Sequence, residues 1–173
     1  MSRYIYGPLT RLGLIAAAIA GAVDQAVKLW LLFGFDLANR GIVRLAPFLD
    51  LVLTWNTGIS YGLFPQDGDL GRTVLLALKF AAVAVLWIWL ARAETRLTAL
   101  SLGLIIGGAV GNAIDRLAYG AVMDFVLFHI RTPSLDFNWY VFNLADAAIV
   151  AGVAGLLYES LFGGTPQKRP DPP

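Results

Sequence analysis

The chain has few residues that could carry out chemistry, and aspartates are prominent among them. Asp124 stands in AVMDFVLFHI and Asp146 in FNLADAAIVAGVAGLL, so both have mainly apolar neighbours. Two carboxylates held close together cannot both ionise, so they share one proton and can hold a water between them. The ionised aspartate would deprotonate that water as it attacks a carbonyl, while the protonated one donates to the carbonyl oxygen. This pair predicts peptide-bond hydrolysis of the aspartic type, with neither a cofactor nor a covalent intermediate.

Asp146 also has a structural interpretation. Asn143 can cap the helix that follows it, and Asp146 would then occupy the third helical position, as in a capping box. A carboxylate at that position also interacts favourably with the positive end of the helix dipole. Considered on this segment alone, a cap and a catalytic group explain Asp146 equally well.

The composition narrows the other possibilities. The chain has 173 residues, 58% of them hydrophobic and only 14% charged, which indicates an integral membrane protein. It contains no cysteine, which excludes disulfides, thiolate metal sites and thiol nucleophiles. The single His129 cannot support a multi-histidine metal site, and a net charge of +1 without a basic tract gives no sign of nucleic-acid binding. We therefore expect no metal and no nucleic-acid partner.

Four apolar stretches are long enough to cross about 30 Å of hydrocarbon as helices. They cover approximately residues 12–35, 73–91, 97–117 and 140–162. The sequence therefore predicts an all-α polytopic membrane protein with four transmembrane helices in a single domain over residues 1–173. The polar, proline-rich tail 163–173 is predicted to be disordered.

The loops predict the topology. Arginines and lysines near both termini and in the turn 92–96 favour a cytoplasmic location for both ends of the chain. The two long connections, 36–72 and 118–139, then lie on the outer side. The first contains IVRLAPFLDLVLTWN, whose alternation suggests short strands, and the second begins with a similar apolar strand. We expect these strands to form a small β platform at the membrane interface.

Other polar residues lie within the predicted spans, where ionisable groups are costly and often functional. Asp24 and Lys28 are four residues apart, which favours an intrahelical ion pair with a structural role. Asn112, Asp115 and Arg116 project from one side of the third span. Asp115 and Arg116 could be a simple interfacial charge cluster, but a buried Asn112 amide needs hydrogen-bond partners.

The third span is also rich in glycine. Small residues on one face allow two helices to pack closely in a membrane, and they could equally leave room for a lipid groove. The glycines concerned are Gly103, Gly107, Gly108 and Gly111.

Two other functions are compatible with these residues. A proton-coupled transporter could use Asp24, Asp115 and Asp146 as a relay, although such a relay would spread its acids through the membrane depth. A non-catalytic membrane adaptor would use Asp146 only as a helix cap.

Four segments together resemble the bacterial lipoprotein signal peptidases, also called signal peptidase II. They are DQAVK, NTGISYGLF, GGAVGNAIDRLAYGAVMDFV and FNLADAAI, in this order along the chain. The resemblance implies a four-helix inner-membrane aspartic protease with both termini in the cytoplasm and its active site toward the periplasmic face. Its implied substrates are prolipoproteins, held among membrane lipids and cleaved just before a cysteine that carries diacylglycerol.

The same resemblance implies a role for each matching residue. Asp124 and Asp146 match the catalytic pair. The residues matching positions that line the site and bind substrate are Asn56, Asn112, Arg116 and Asn143. Asp24 and Lys28 also match motif positions, but a structural role explains them as well as a role in the site does. Asp115 is a further candidate for either role. The segment 129–141 is longer than the family pattern, and Ile59-Ser60-Tyr61 replace smaller residues; both changes predict an altered rim or pocket.

Overall fold

The computed structural model describes residues 5–57 and 81–163, which form a helical bundle carrying a small antiparallel sheet. In chain order the helices are α1 (Thr10–Leu29, continued by a π-helical turn, Trp30–Gly34), α2 (Leu37–Arg40), α3 (Ala81–Ala91), α4 (Arg96–Tyr119) and α5 (Leu144–Phe162). The strands are β1 (Val43–Ala46), β2 (Leu49–Asn56), β3 (Val122–Thr132) and β4 (Leu135–Asn138).

Three helices among the described residues are long and apolar enough to cross a membrane: α1 with its π-helical turn, α4 and α5. They confirm the first, third and fourth predicted spans. The second predicted span, 73–91, falls partly outside the described residues, and its described part is the shorter apolar helix α3. Positions Ile59-Ser60-Tyr61 and the tail from residue 164 onward also lie outside the described residues.

Helix α5 begins at Leu144, four residues later than the sequence predicted. The reason is a strand interaction that interrupts the apolar run. Phe142 donates its backbone N–H to the carbonyl of Val126 at 3.0 Å and accepts one from Val126 at 2.8 Å. Residues up to Phe142 are thereby held against β3, and Asn143 has extended backbone angles as the N-cap.

Helix α4 lies at the centre of the bundle and packs against both α1 and α5. Its glycines make these contacts possible, because added Cβ atoms would collide with neighbouring backbone. At Gly103 and Gly107 the obstacles are the Gly13 and Ala17 carbonyls of α1, and at Gly108 it is the Ala145 carbonyl of α5. Of the two interpretations of these glycines, close helix packing is therefore the one that applies at these positions.

The sheet has the order β1-β2-β3-β4, with every neighbouring pair antiparallel. The predicted strands in the two connections are therefore confirmed. Pairing of β2 with β3 sets Thr54 opposite Asp124 and brings Asn56 beside the start of β3. On the inner side, Met123 and Phe125 of β3 pack with Leu31 at the end of α1, which fixes the sheet to the bundle.

The segment 129–141 forms most of a hairpin. The end of β3 pairs with β4, and Thr132 stands opposite Leu135 across the turn. Every residue of β4 is exposed. Strand β4 thus extends the edge of the sheet and adds nothing to its buried core.

Candidate active site

Asp146 is part of the N-terminal cap of α5, as the spacing predicted. The Asn143 side-chain oxygen Oδ1 accepts a hydrogen bond from the Asp146 backbone N–H at 2.9 Å. In return, the Asn143 backbone N–H donates to Asp146 Oδ2 at 3.3 Å, which completes a capping box. The cap uses one carboxylate oxygen only, because Oδ1 of Asp146 accepts from Asn112 Nδ2 at 2.9 Å.

Asp124 lies on β3 and is buried, with only 3% of its surface exposed. Its Oδ1 accepts a hydrogen bond of 2.6 Å from Asn143 Nδ2, and its Oδ2 accepts one of 3.1 Å from Asn56 Nδ2. Burial raises the pKa of Asp124 to about 6; the Asn56 hydrogen bond opposes this shift, and the charge of Asp146 adds to it. A carboxyl with such a pKa is half protonated at about pH 6, so it can both give and accept a proton close to neutral pH.

Two asparagine side chains join the aspartates into one hydrogen-bonded network. Asn143 Nδ2 contacts both Asp124 Oδ1 and the side-chain oxygen of Asn112, the latter at 3.1 Å. Asn112 then donates through its own Nδ2 to Asp146. The order is therefore Asp124, Asn143, Asn112, Asp146, with contributions from β3, the α5 cap and α4. Five of the residues singled out from the sequence, counting Asn56, meet in this cluster.

Arg116 lies one turn along α4 from Asn112 and borders the same cluster. Its Nη1 donates to the Asn112 backbone carbonyl at 3.1 Å, and it is half-buried. Its guanidinium interacts electrostatically with Asp124 and Asp146. The network of amides and acids therefore has a fixed cation beside it.

Asp24, Lys28 and Asp115 form a separate buried ion cluster. Lys28 Nζ lies 2.7 Å from Asp24 Oδ2 and 2.8 Å from Asp115 Oδ2, and each of the three residues is at most 2% exposed. The predicted Asp24–Lys28 pair is confirmed. The interpretation of Asp115 with Arg116 as an interfacial charge cluster is wrong, because Asp115 is buried against a cation from α1.

Backbone donors tie this ion cluster to the two aspartates. The N–H of Ala145, next to Asp146, donates to Asp24 Oδ1 at 2.9 Å. The N–H of Met123, next to Asp124, donates to Asp115 Oδ2 at 3.1 Å. The acids of α1 and α4 are thus held by fixed partners, which is unlike the mobile proton carriers that a relay requires.

Two groups of contacts were missed by sequence reasoning. Gln25 Nε2 donates to Asp115 Oδ1 at 2.8 Å and to the Gly111 carbonyl at 3.1 Å, so it completes the ion cluster. In the sheet, buried His129 has its Nε2 3.0 Å from Asp50 Oδ2. Gln25 could have been suspected from its position beside Asp24, whereas the His129 contact depends on the pairing of β2 with β3, which no local pattern reveals.

No group of three histidine, cysteine, aspartate or glutamate side chains in residues 5–57 and 81–163 is arranged to hold a metal ion.

Two solved structures share the fold of this chain. Both are described as bacterial membrane enzymes and were determined by the in meso method. One superposes with a TM-score of 0.68 at 20% identity and covers 94% of both chains. The other has a TM-score of 0.67 at 21% identity and covers 94% of this chain and 99% of its own. At these identities the likeness concerns the fold alone.

The sequence comparisons then specify the family. The family described as Signal peptidase (SPase) II matches residues 15–162. A lipoprotein signal peptidase of Rhodopseudomonas palustris (strain TIE-1) is 59% identical over 160 residues, covering 92% of this chain and 98% of the relative. One of Nitrobacter hamburgensis is 61% identical with the same coverage. The chain belongs to the signal peptidase II family of membrane proteases, and the resemblance predicted from its motifs is confirmed.

Proposed function

We propose that this protein removes signal peptides from diacylglyceryl-modified prolipoproteins, with Asp124 and Asp146 as an aspartic pair. Family membership and the names of its relatives support the substrate class. The observation that carries the catalytic assignment is the hydrogen-bonded network in which Asn143 and Asn112 join the buried Asp124 carboxylate to the half-buried Asp146 carboxylate. The Gln25 amide also bridges two acids, Asp24 and Asp115, but Lys28 forms an ion pair with both of those carboxylates.

The two aspartates differ in their environments, and this difference supports different roles. Asp124 is buried in an apolar strand with a raised pKa, so it holds the shared proton. Asp146 lies at the N-terminus of α5 and accepts hydrogen bonds from Asn112 and from the Asn143 backbone, and we assign it the role of general base. The two aspartates share one proton, with Asp124 as its main holder.

The reaction follows from these roles. Asp146 takes a proton from water as the water oxygen forms a bond to the scissile carbonyl carbon. Asp124 gives its proton to the carbonyl oxygen, which yields a neutral tetrahedral diol. When the carbon–nitrogen bond breaks, the proton held by Asp146 goes to the leaving amine of the cysteine. The diol returns its hydroxyl proton to Asp124 as the new carboxyl group forms, and the pair regains its starting state.

The surrounding polar groups position the reacting atoms. Asn56 and Asn143 donate to opposite oxygens of Asp124 and hold its carboxyl plane. Arg116 is fixed to the Asn112 carbonyl and supplies positive charge beside the pair. We assign to these residues and Asn112 the binding of the substrate backbone.

The membrane delivers the substrate. A prolipoprotein anchored by an apolar signal helix and two acyl chains reaches the enzyme by lateral diffusion in the bilayer. We propose that the enzyme lies in the bacterial inner membrane with four spans, both termini in the cytoplasm and the aspartate pair toward the periplasmic face. The apolar helices α1, α4 and α5 support the membrane location.

The decisive experiment is replacement of each aspartate by its isosteric amide. Asp124→Asn and Asp146→Asn are each assayed for cleavage of a diacylglyceryl-modified prolipoprotein, with Asp136→Asn, whose side chain is 73% exposed on β4, as the matched control. We expect each of the first two to lower kcat by about 100-fold to 10,000-fold, because each removes one proton-transfer step. The control should cleave at the wild-type rate. Near wild-type cleavage by either variant would overturn the mechanism, and a change of stability alone in Asp146→Asn would leave that residue only its capping role.

A further inference from the structure

The side-chain amide of Asn112 must point in one direction for the network to close. Its Nδ2 donates to Asp146 Oδ1 at 2.9 Å, and its Oδ1 accepts from Asn143. If the amide rotated by half a turn, its oxygen would face the Asp146 carboxylate and its NH₂ group would face another donor. The half-buried Asn112 amide would lose both hydrogen bonds in that arrangement.

Lys28 supplies a second donor to the oxygen of Asn112. Its Nζ lies 3.4 Å from Asn112 Oδ1, in addition to its contacts of 2.7 Å with Asp24 and 2.8 Å with Asp115. An ammonium group has three N–H donors and no acceptor, so it can face only the oxygen of an amide. The three acceptors around buried Lys28 match its three protons, and the one that is not an acid is Asn112.

Asn143 and Lys28 favour the same orientation of Asn112. Asn143 Nδ2 has two N–H groups and donates to Asp124 at 2.6 Å and to Asn112 Oδ1 at 3.1 Å. The Lys28 contact with the same oxygen is longer, at 3.4 Å, but its donor carries a full positive charge. The ammonium group behind Asn112 therefore adds a charged donor that holds the amide oxygen away from Asp146.

We propose that Lys28 is a positioning residue for the reaction: through Asn112, it keeps an N–H donor directed at Asp146. This inference rests on the proposed function, because it concerns the geometry of the carboxylate that activates water. It assigns to Lys28 a role beyond the stability of its ion cluster. The order of action is Lys28, Asn112, Asp146, so Lys28 touches neither the substrate nor the reacting atoms.

A single substitution cannot separate this role from folding. Lys28→Met leaves Asp24 and Asp115 buried without their cation, and breaking one partner out of a buried ion cluster is strongly destabilising. Neutralising all three members together is better tolerated. The triple variant Asp24→Asn/Lys28→Met/Asp115→Asn keeps side-chain oxygens that can accept from the backbone of Ala145 and Met123.

The matched control is the double variant Asp24→Asn/Asp115→Asn, which differs from the triple variant only at position 28 and keeps an amine that can donate to Asn112. Charged groups from four elements face Lys28 and Asn112. They are Asp24 on α1, Asp115 and Arg116 on α4, Asp124 on β3 and Asp146 on α5. The double variant leaves the buried Lys28 without its two counter-ions, so thermal unfolding of both variants is measured first. The two variants change the same acids, and between folded preparations the comparison tests the amine at position 28.

The full-length variants are compared by kcat, KM, pH profile and thermal unfolding on a diacylglyceryl-modified prolipoprotein. We expect the triple variant to have a kcat at least about tenfold below that of the double variant at every pH, with KM within about twofold, as for the loss of one hydrogen bond to a charged group. A cluster that acts only through its charge would move the pH profile and leave its maximum unchanged.

Equal maximal kcat in the triple and double variants would overturn the inference. If the double variant does not fold, the maximal kcat of the triple variant is compared with that of the wild type, and a decrease of less than about tenfold overturns the inference. Asp146→Asn in the same assay keeps the two proposals apart. If it cleaves normally, the proposed function fails, whereas an inactive Asp146→Asn with a fully active triple variant refutes only the role of Lys28.

Discussion

Asn143 performs two tasks with two different atoms, so one substitution can separate them. Its Oδ1 caps α5 by accepting from the Asp146 backbone N–H at 2.9 Å. Its Nδ2 donates to Asp124 at 2.6 Å and to Asn112 at 3.1 Å. A serine can provide the capping oxygen but has no second donor that reaches both partners. Asn143→Ser therefore removes the link between the aspartates and keeps the cap, while Asn143→Ala removes both.

The magnitudes of the two effects differ enough to be measured separately. Both variants lose the buried amide donor, and serine and asparagine are about equally good N-caps, so Asn143→Ala should be less stable than Asn143→Ser by about 0.5–2 kcal/mol. A hydrogen bond to a charged group contributes about 1.5–3 kcal/mol. Since about 1.4 kcal/mol corresponds to a tenfold change in rate, Asn143→Ser should lower kcat/KM by roughly 10-fold to 150-fold.

The assay is cleavage of a diacylglyceryl-modified prolipoprotein, with thermal unfolding measured on the same preparations. Loss of the Asn143 donor should also raise the pKa of Asp124 further, because that hydrogen bond stabilises the ionised carboxylate. If Asn143→Ser cleaves at more than half the wild-type rate, the amide network does not support catalysis and the reasoning is wrong. If it unfolds as early as Asn143→Ala, the separation of cap and network has failed.

Three further outcomes are expected. First, kcat/KM should fall as the pH rises through about 6, because Asp124 must be protonated to donate. Asn56→Leu removes a hydrogen-bond donor that lowers the pKa of Asp124, so it should move this fall to higher pH. An unchanged pH profile would mean that another group titrates. Second, Gly108→Ala should lower stability by about 1–3 kcal/mol in thermal unfolding, because its Cβ would collide with the backbone of α5. The control is Gly21→Ala, whose Cβ would have one contact at 3.3 Å, and it should lower stability clearly less. Third, His129→Leu should lower stability by about 1–3 kcal/mol and leave kcat unchanged, because the buried Asp50 carboxylate then keeps only the exposed Arg44, 3.7 Å away. A large loss of kcat would place this histidine in the mechanism.

Local patterns in the sequence predicted those features that depend on neighbours along the chain. The Asp24–Lys28 pair follows from a spacing of one helical turn, and the capping box of Asn143 and Asp146 follows from a spacing of three residues. Long apolar runs likewise predicted α1, α4 and α5, because a helix that crosses a bilayer must satisfy its own backbone.

Features that depend on the packing of distant segments were not predicted. The apolar run 140–162 contains no signal that its first residues would pair with β3, so the start of α5 was placed too early. Asp115 lies next to Arg116 in sequence, yet its cation is Lys28, because α4 packs against α1. Motif resemblance grouped Asn112 with the aspartates, but only the three-dimensional arrangement reveals the direction in which its amide donates.

The buried ion cluster has a consequence for how the protein assembles in its membrane. Helix α1 carries Asp24 and Lys28 one turn apart, so these two charges can enter the bilayer as a neutral pair. Helix α4 then brings in Asp115, whose carboxylate has its lysine already present on α1. A helix docked one turn out of register would leave that carboxylate unpaired in hydrocarbon, which is costly. The same three residues that lie behind the aspartate pair therefore select the correct alignment of the two helices during biogenesis.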